Sequence, residues 1–423
     1  MAVVAHPPGT PGLLRALNDR SALDLLVEHG PLTRTRVGEL TGLSKPTASL
    51  LLSRLEAAGL VRSAGTTSGS HGPGAALYEI DPAAGLAAGV SVTPYTADAE
   101  IVDVSGRALG RARVDLPRRA GERSPVSDVT GAVRAAARVA GVDPGRLAAV
   151  VVGAQGALDR DSDTLVHAGH MPGWSGPGLL SALTRGLGAA VCVDNDVNLA
   201  AVAERAAAGA AAAGCSALLW LGDGLGLAVH VGGVVHRGAT GGAGEIGYMP
   251  VPHPAGSGSV QLQDLVGGPE VLRLARGRGL HGRSAALVVA RAADGAADDS
   301  AGAGFLRELA ARVAVGLAAI VAVLDPDVVV LGGPVGRAGG VALRDLVRSE
   351  LARICPLRPR LEVSAVAADP VLAGATVLAL AHCRDLVFSG AAGSAGRRAG
   401  DSPPASSGAP PSTVHDRVLG ASR

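Results

Sequence analysis

The sequence predicts an α/β protein in which a small helical unit ending in a β-hairpin precedes a large body of two similar lobes. Three observations carry this. Strand-like apolar runs alternate with Ala-rich helical runs from residue 83 to residue 388. Residues 11–82 run helix, short helix, turn, helix, hairpin. Finally, 423 residues that are 48% hydrophobic and only 18% charged hold enough apolar material for two or three domain cores.

In the small unit, Leu13-Leu14 to Leu25-Leu26-Val27 has helical spacing and stops at Gly30-Pro31. Thr33 reads as the N-cap of a short helix closed by Gly42, and Ser44 as the next N-cap, with Pro46 in the first turn where its missing N–H does no harm. That second helix is expected to turn Leu50, Leu51 and Leu55 inward and to end at Gly59. Strands at Leu60–Arg62 and Leu77–Ile80 flank a Gly/Ser-rich loop, 64–76. This is the order of a winged helix-turn-helix, whose second helix enters the DNA major groove N-terminal residues first. Short hydroxyls and one cation lead that helix: Ser44, Lys45, Pro46, Thr47 and Ser49. Five basic residues against two acids between Pro31 and Arg62 give a local +3 within a chain of net charge +1. Arg34, Arg54 and, on the wing, His71 complete the expected DNA-binding set.

In the body, three consecutive strands are expected at 89–93, 99–104 and 108–114, followed by a helix over 126–141 and a strand at 147–152. A strand at 190–193 leads into Asp194-Asn195-Asp196-Val197-Asn198, with a helix from Leu199. A second strand set follows at 216–221 and 227–231 around Gly222-Asp223-Gly224-Leu225-Gly226, then a strand at 328–331 before Gly332-Gly333-Pro334. Residues 1–10 are expected to be mobile and 389–423 disordered, for want of apolar residues.

Composition excludes several classes. Seven aromatic residues are too few for a single-strand stacking platform. Cys192, Cys215, Cys355 and Cys383 lie too far apart for a CxxC redox or zinc pair and read as reduced thiols. No leader is expected at the N-terminus, and the longest apolar span found, Val313 to Leu324, falls short of a bilayer. The expected location is therefore cytoplasmic, without membrane contact.

Residues 11–388 resemble the ROK-family transcriptional regulators, which join a winged helix-turn-helix to a body similar to bacterial sugar kinases. The matching stretches are Gly38 to Thr47, Asp194 to Asn198, Gly241 to Tyr248 (GGAGEIGY), and Asp325-Pro326-Asp327 with Leu331-Gly332-Gly333-Pro334. The resemblance implies an actin-like, sugar-kinase-like body over 83–388, with a lobe boundary near 205 and a sugar cleft. Asn195, Asp196 and Glu245 match family residues that contact sugar hydroxyls, Asp196 at the kinases' general base. Gln263 stands where a sugar-contacting Glu is usual, and Tyr248 where zinc-holding members have His. On the residues alone, a helix cap for Asp194-Asn195-Asp196 and a solvated loop charge for Glu245 are the lesser alternatives. Trp174 reads either as pocket lining or as a core indole. The resemblance puts Asn195 and Asp196 on the first lobe and Glu245 and Gln263 on the second, so that a bridging sugar would close them.

Departures from the kinases set the functional expectation. Where kinases carry an acid, paired glycines and a threonine, this chain has Gly89-Val90-Ser91-Val92-Thr93-Pro94; the second phosphate turn carries Asp223 in place of Thr. No Cys lies in 250–263, and His253 alone makes no zinc site. The expectation is a sugar-responsive repressor without enzyme activity, cofactor or metal, binding an inverted-repeat operator in double-stranded DNA as a homodimer or homotetramer. An active sugar kinase with a DNA-binding domain, or a body that binds only a partner protein, are the alternatives.

Overall fold

The computed structural model describes residues 11–67, 74–159, 161–166, 168–169, 171–209, 214–252, 258–295 and 301–394. The expectations for residues 1–10, His71, His253 and 395–423 lie outside these residues.

The chain opens with α1 (Pro11–His29), β1 (Leu32–Thr33), α2 (Arg34–Thr41), α3 (Lys45–Ala57), β2 (Val61–Thr66) and β3 (Ala76–Ile80). Both expected caps form: Thr33 accepts from Arg36 N, and Ser44 accepts from Thr47 N. Gly42 ends α2 at φ 72°, a left-handed conformation that favours glycine. The strands order β1-β3-β2; β1 is too short to show alternation in sequence. Ala22, Leu23, Leu26, Val37, Ala48, Leu51, Leu52, Leu55 and Tyr78 form the core. Leu50, expected inside, is 70% exposed, and Leu52 takes the inward place. Starting α3 from Ser44 fixes the helical phase, and that phase turns position 50 outward.

The next elements are β4 (Leu86–Val92), β5 (Thr96–Asp103), β6 (Ala108–Asp115), α4 (Pro125–Ala140), β7 (Leu147–Ala154), β8 (Ala157–Asp159), β9 (Thr164–Val166), α5 (Leu179–Leu187) and β10 (Ala190–Asn195). They build a five-stranded sheet, β10-β7-β4-β5-β6. α4 buries Val129, Ala132, Val133 and Ala136, and Gly110 admits it closely, since a Cβ there would meet Ala140 N at 2.5 Å.

Then come α6 (Asp196–Ala208), β11 (Cys215–Leu221), β12 (Leu225–Val231), β13 (Val234–Val235), β14 (Pro250–Pro252), β15 (Ser259–Gln261), α7 (Gln263–Val266), α8 (Gly268–Arg276), α9 (Ala285–Asp294), α10 (Ala301–Leu324), β16 (Val328–Gly332), α11 (Gly333–Ile354), β17 (Arg360–Val363) and α12 (Pro370–Ser394). The second sheet runs β13-β12-β11-β16-β17. Counting strands within each lobe, both sheets have the order 3-2-1-4-5, the repeat expected of two similar lobes.

Two compact units result: residues 1–152, 180–192 and 378–423, and residues 153–179 and 193–377. This contact-based division falls between Cys192 and Val193, inside β10, whereas the sequence reading put a lobe boundary near 205. α12 crosses from one unit to the other and carries helix to Ser394, into the segment expected to be disordered. Its Pro370–Ser389 stretch, mean hydropathy 1.6, is long and apolar enough to cross a membrane, unlike the shorter span read from the sequence. In this fold it packs on protein: Arg384 donates to Val104 O (2.9 Å) and Ser105 O (3.0 Å), and Gly85 lies against Cys383.

Candidate functional site

The first candidate surface is the outward side of α3. Lys45, Pro46 and Thr47 are exposed at its N-terminus, and Ser49 is half-buried. Ser44 Oγ and Thr47 Oγ1 lie 2.8 Å apart, so one hydroxyl donates to the other while Ser44 Oγ caps the helix. Two expected contacts are otherwise engaged. Arg54 grips buried Asp19 through Nε (3.2 Å) and Nη2, pinning α1 to α3. Arg34 stacks on Tyr78, 5.1 Å from its ring centroid, and donates to its hydroxyl.

The second candidate site lies within the unit 153–179 and 193–377. β10 ends at Asn195, which caps α6 by accepting from Val197 N (2.8 Å) and Asn198 N (3.2 Å); its Nδ2 donates to Gly156 O (3.1 Å). Its amide is thus largely structural. Neighbouring Asp194, overlooked in the sequence as a site residue, is buried. It accepts from Asn195 N (2.9 Å), Asn198 Nδ2 (3.1 Å) and Arg237 Nε (3.1 Å). Arg237 O in turn accepts from Ala243 N (3.1 Å), fixing the glycine-rich segment that bears Glu245. Within it, Gly244 has φ 94° and its carbonyl accepts from Leu227 N (3.0 Å); a Cβ there would fall 1.8 Å from Leu227 O.

That frame brings Asp196 and Glu245 together. Asp196 Oδ1 accepts from Val197 N (2.9 Å). Apart from this bond and one from its own backbone N–H, the Asp196 carboxylate, like that of Glu245, has no protein hydrogen bond or ion pair among the described residues. Burial pushes the Asp196 carboxyl up to about 7, and the Glu245 charge adds to this while the Val197 N–H opposes it. Asn195, Asp196, Glu245 and Gln263 fall in one compact unit, although Asn195 ends β10, a strand of the first five-stranded sheet.

Gln263 stands apart from this pair. Its Oε1 accepts from Leu225 N (2.8 Å) and its Nε2 donates to Asp223 O (3.1 Å), strapping the second phosphate-turn segment. An amide can do both; a carboxylate can only accept. Tyr248 closes a single helical turn, 246–248, and is 57% exposed. Trp174 is fully buried, taking the core alternative.

Both turns matching phosphate loops have internally engaged N–H groups. At 93–96, Thr93 Oγ1 accepts from Tyr95 N (3.2 Å) and Thr96 N (2.9 Å), while Thr93 N donates to Thr96 O (2.8 Å). Buried Arg123 braces this turn by donating to Pro94 O (2.8 Å). At 222–225, Gly222 N donates to Gly224 O (3.0 Å) and Leu225 N to Gln263.

Comparison with known proteins places these features in a lineage. Residues 88–382 match the ROK family, and residues 15–62 match a winged helix-turn-helix DNA-binding domain. A bifunctional enzyme NanE/NanK of Brucella suis is 33% identical over 201 residues, 46% of this chain but only 36% of that protein. The chain thus spans about a third of the length of that curated relative. A xylose repressor of Caldicellulosiruptor bescii is 21% identical over 243 residues, 57% of this chain and 61% of the repressor. Among solved structures, the ROK hexokinase of Thermus thermophilus aligns with TM-score 0.58 and 27% identity over 71% of this chain and 99% of its own. A ROK family transcriptional regulator, homologous to the E. coli MLC protein, aligns with TM-score 0.68 over 90% of this chain and 98% of its own, at 16% identity, a likeness of fold. With the family match covering well over half its length behind an N-terminal winged helix-turn-helix, the chain belongs to the ROK family.

Proposed function

We propose that this protein is a cytoplasmic, sequence-specific repressor that binds double-stranded operator DNA as a homodimer or homotetramer and releases it in response to a sugar or sugar derivative, without transferring phosphate. The observation that carries the sensory half is the Asp196–Glu245 pair. Two partly buried carboxylates with no ion-pair partner among the described residues, and with acceptor capacity left over, are acceptors for the vicinal hydroxyls of a sugar. The absence of kinase activity is supported by the two turns, where the N–H groups of Thr93, Tyr95, Thr96, Gly222 and Leu225 already serve protein acceptors and so are withdrawn from phosphate. The exposed Asp223 carboxylate adds repulsion toward ATP. The winged helix-turn-helix, with Lys45 leading an exposed helix, supports the DNA half.

The test combines two assays on the full chain. A thermal-shift screen of a sugar library identifies the ligand, and operator binding is then measured with and without it. Ligand-dependent release, with no ATP consumption in the presence of that sugar, fits the proposal. Sugar-dependent ADP formation would instead make the protein an active kinase. Stabilisation by no sugar, with DNA binding intact, would leave the body as a partner-protein module.

A further inference from the structure

We propose that Leu50 is a specificity-determining residue that reads thymine C5-methyl groups in the major groove. This rests on the DNA-binding reading above. The argument starts from helical phase. At about 100° per residue, Leu50 lies roughly 150° from the centre of the stripe formed by Ala48, Leu51, Leu52 and Leu55. Those four side chains are buried, whereas Leu50 is 70% exposed. A single exposed leucine is ordinary; its company here is what points to a ligand. Pro46, Leu50, Ser53 and Ala57 share the outward side of α3 without a charge among them, and no acid precedes Glu56 on the helix. Lys45 at the leading end supplies the cation that complements phosphate.

Elimination sharpens the role. The hydroxyls of Ser44 and Thr47 are directed at each other, and Arg54 is turned back onto Asp19. These engagements leave a base edge at most one hydroxyl hydrogen of the pair and no arginine. Leu50 is then the longest uncharged side chain available in the middle of the presented face. Thymine is the base whose major-groove edge carries a methyl group, and apolar side chains discriminate it by contact with that methyl.

The experiment uses the intact protein. Selection from random double-stranded DNA yields its preferred site. Each thymine is then replaced by uracil, which removes the methyl alone, and affinity is measured by fluorescence anisotropy at fixed salt. We expect one or more thymines per half-site at which replacement weakens wild-type binding about fourfold, the equivalent of one buried methyl group. Leu50→Ala and Leu50→Gln should bind the thymine site more weakly and lose that sensitivity, with unchanged thermal unfolding. Lys45→Ala should weaken all sequences alike and keep it. The proposal is overturned if no thymine is sensitive, or if both Leu50 variants retain wild-type sensitivity. A change of oligomeric state in the variants with thymine discrimination intact would assign the face to a second copy, and also overturns it. If selection enriches no sequence at all, the DNA-reading function itself fails, an outcome distinct from specific binding without methyl sensitivity.

Discussion

Arg20 on α1 and Asp385 on α12 form an ion pair of 2.8 Å, so the first helix of the DNA-binding module is held by the last helix of the chain. The Arg20 guanidinium also lies 5.5 Å from the Phe388 ring centroid and 3.0 Å from Asp24. Both partners of the pair are about one third exposed, so its intrinsic stability is modest, about 0–1 kcal/mol. Its position gives it weight as a coupling element. Arg20→Ala should leave operator affinity without ligand within about twofold, as a surface pair implies, while shrinking the ligand-induced change. Anisotropy titrations of Arg20→Ala, Asp385→Ala and the double variant, each with and without ligand, measure the coupling directly.

Ligand response should depend on the carboxylate pair and DNA binding should not. Asp196→Asn and Glu245→Gln are expected to bind operator normally and to lose most of the ligand effect, typically ~1–3 kcal/mol or about 5–150-fold in affinity. Loss of operator binding in either variant without ligand would make that carboxylate structural.

Asp196 also predicts a pH dependence of stability. The folded protein holds its proton up to about pH 7, whereas the unfolded chain releases it near the ordinary 3.8. Between those values the native state binds more protons. This contribution to stability is therefore full below about pH 4 and is lost as pH rises through about 7. Thermal unfolding from pH 5 to pH 8 should show that decline in the wild type and a flatter profile in Asp196→Asn.

At the 222–225 turn, Gln263→Glu should be destabilising despite restoring the residue usual in the family's kinases. The carboxylate can still accept from Leu225 N, but it cannot donate to Asp223 O, and it places a charge beside that carbonyl. A loss of about 1–3 kcal/mol in denaturant unfolding is expected.

Lys45 and Arg54 should separate by salt dependence. Lys45→Ala is expected to lower the slope of log affinity against log salt by about 1. Arg54→Ala should leave the slope unchanged and lower stability, because its guanidinium neutralises buried Asp19. Equal slopes for Lys45→Ala and the wild type would remove Lys45 from the phosphate contacts.

The parts of the fold visible in sequence were those with local chemical signatures. Thr33 and Ser44 announce their helices because a cap needs only a side-chain oxygen two or three residues ahead of an orphan N–H. The succession of strands in two similar sets was legible because apolar runs are separated by glycine turns; the 3-2-1-4-5 pairing order within each sheet was not. What escaped depended on long-range geometry. Leu50 belongs to a Leu-Leu-Leu run, and no composition argument tells which of three adjacent leucines faces water. Arg54 looks like any basic residue of a DNA-binding helix until Asp19, 35 positions earlier, is brought beside it. Gln263 reads as a weakened sugar contact, whereas its amide joins two backbone groups 38 and 40 residues away. Asp194 and Arg237 escaped for the same reason: each is unremarkable alone, and only their pairing holds the Glu245 segment to the α6 corner.

α12 has a further property. Near its start, Gly374 sits directly on the Leu199 carbonyl of α6, where a Cβ would fall 1.8 Å from the oxygen. Eleven residues on, Asp385 holds Arg20. Eleven residues make just over three whole turns, so Gly374 and Asp385 lie within about 20° of each other on the same side of the helix. α12 thus uses one side twice: a bare backbone, with no side chain, against α6, and a carboxylate eleven residues on that answers the guanidinium of α1.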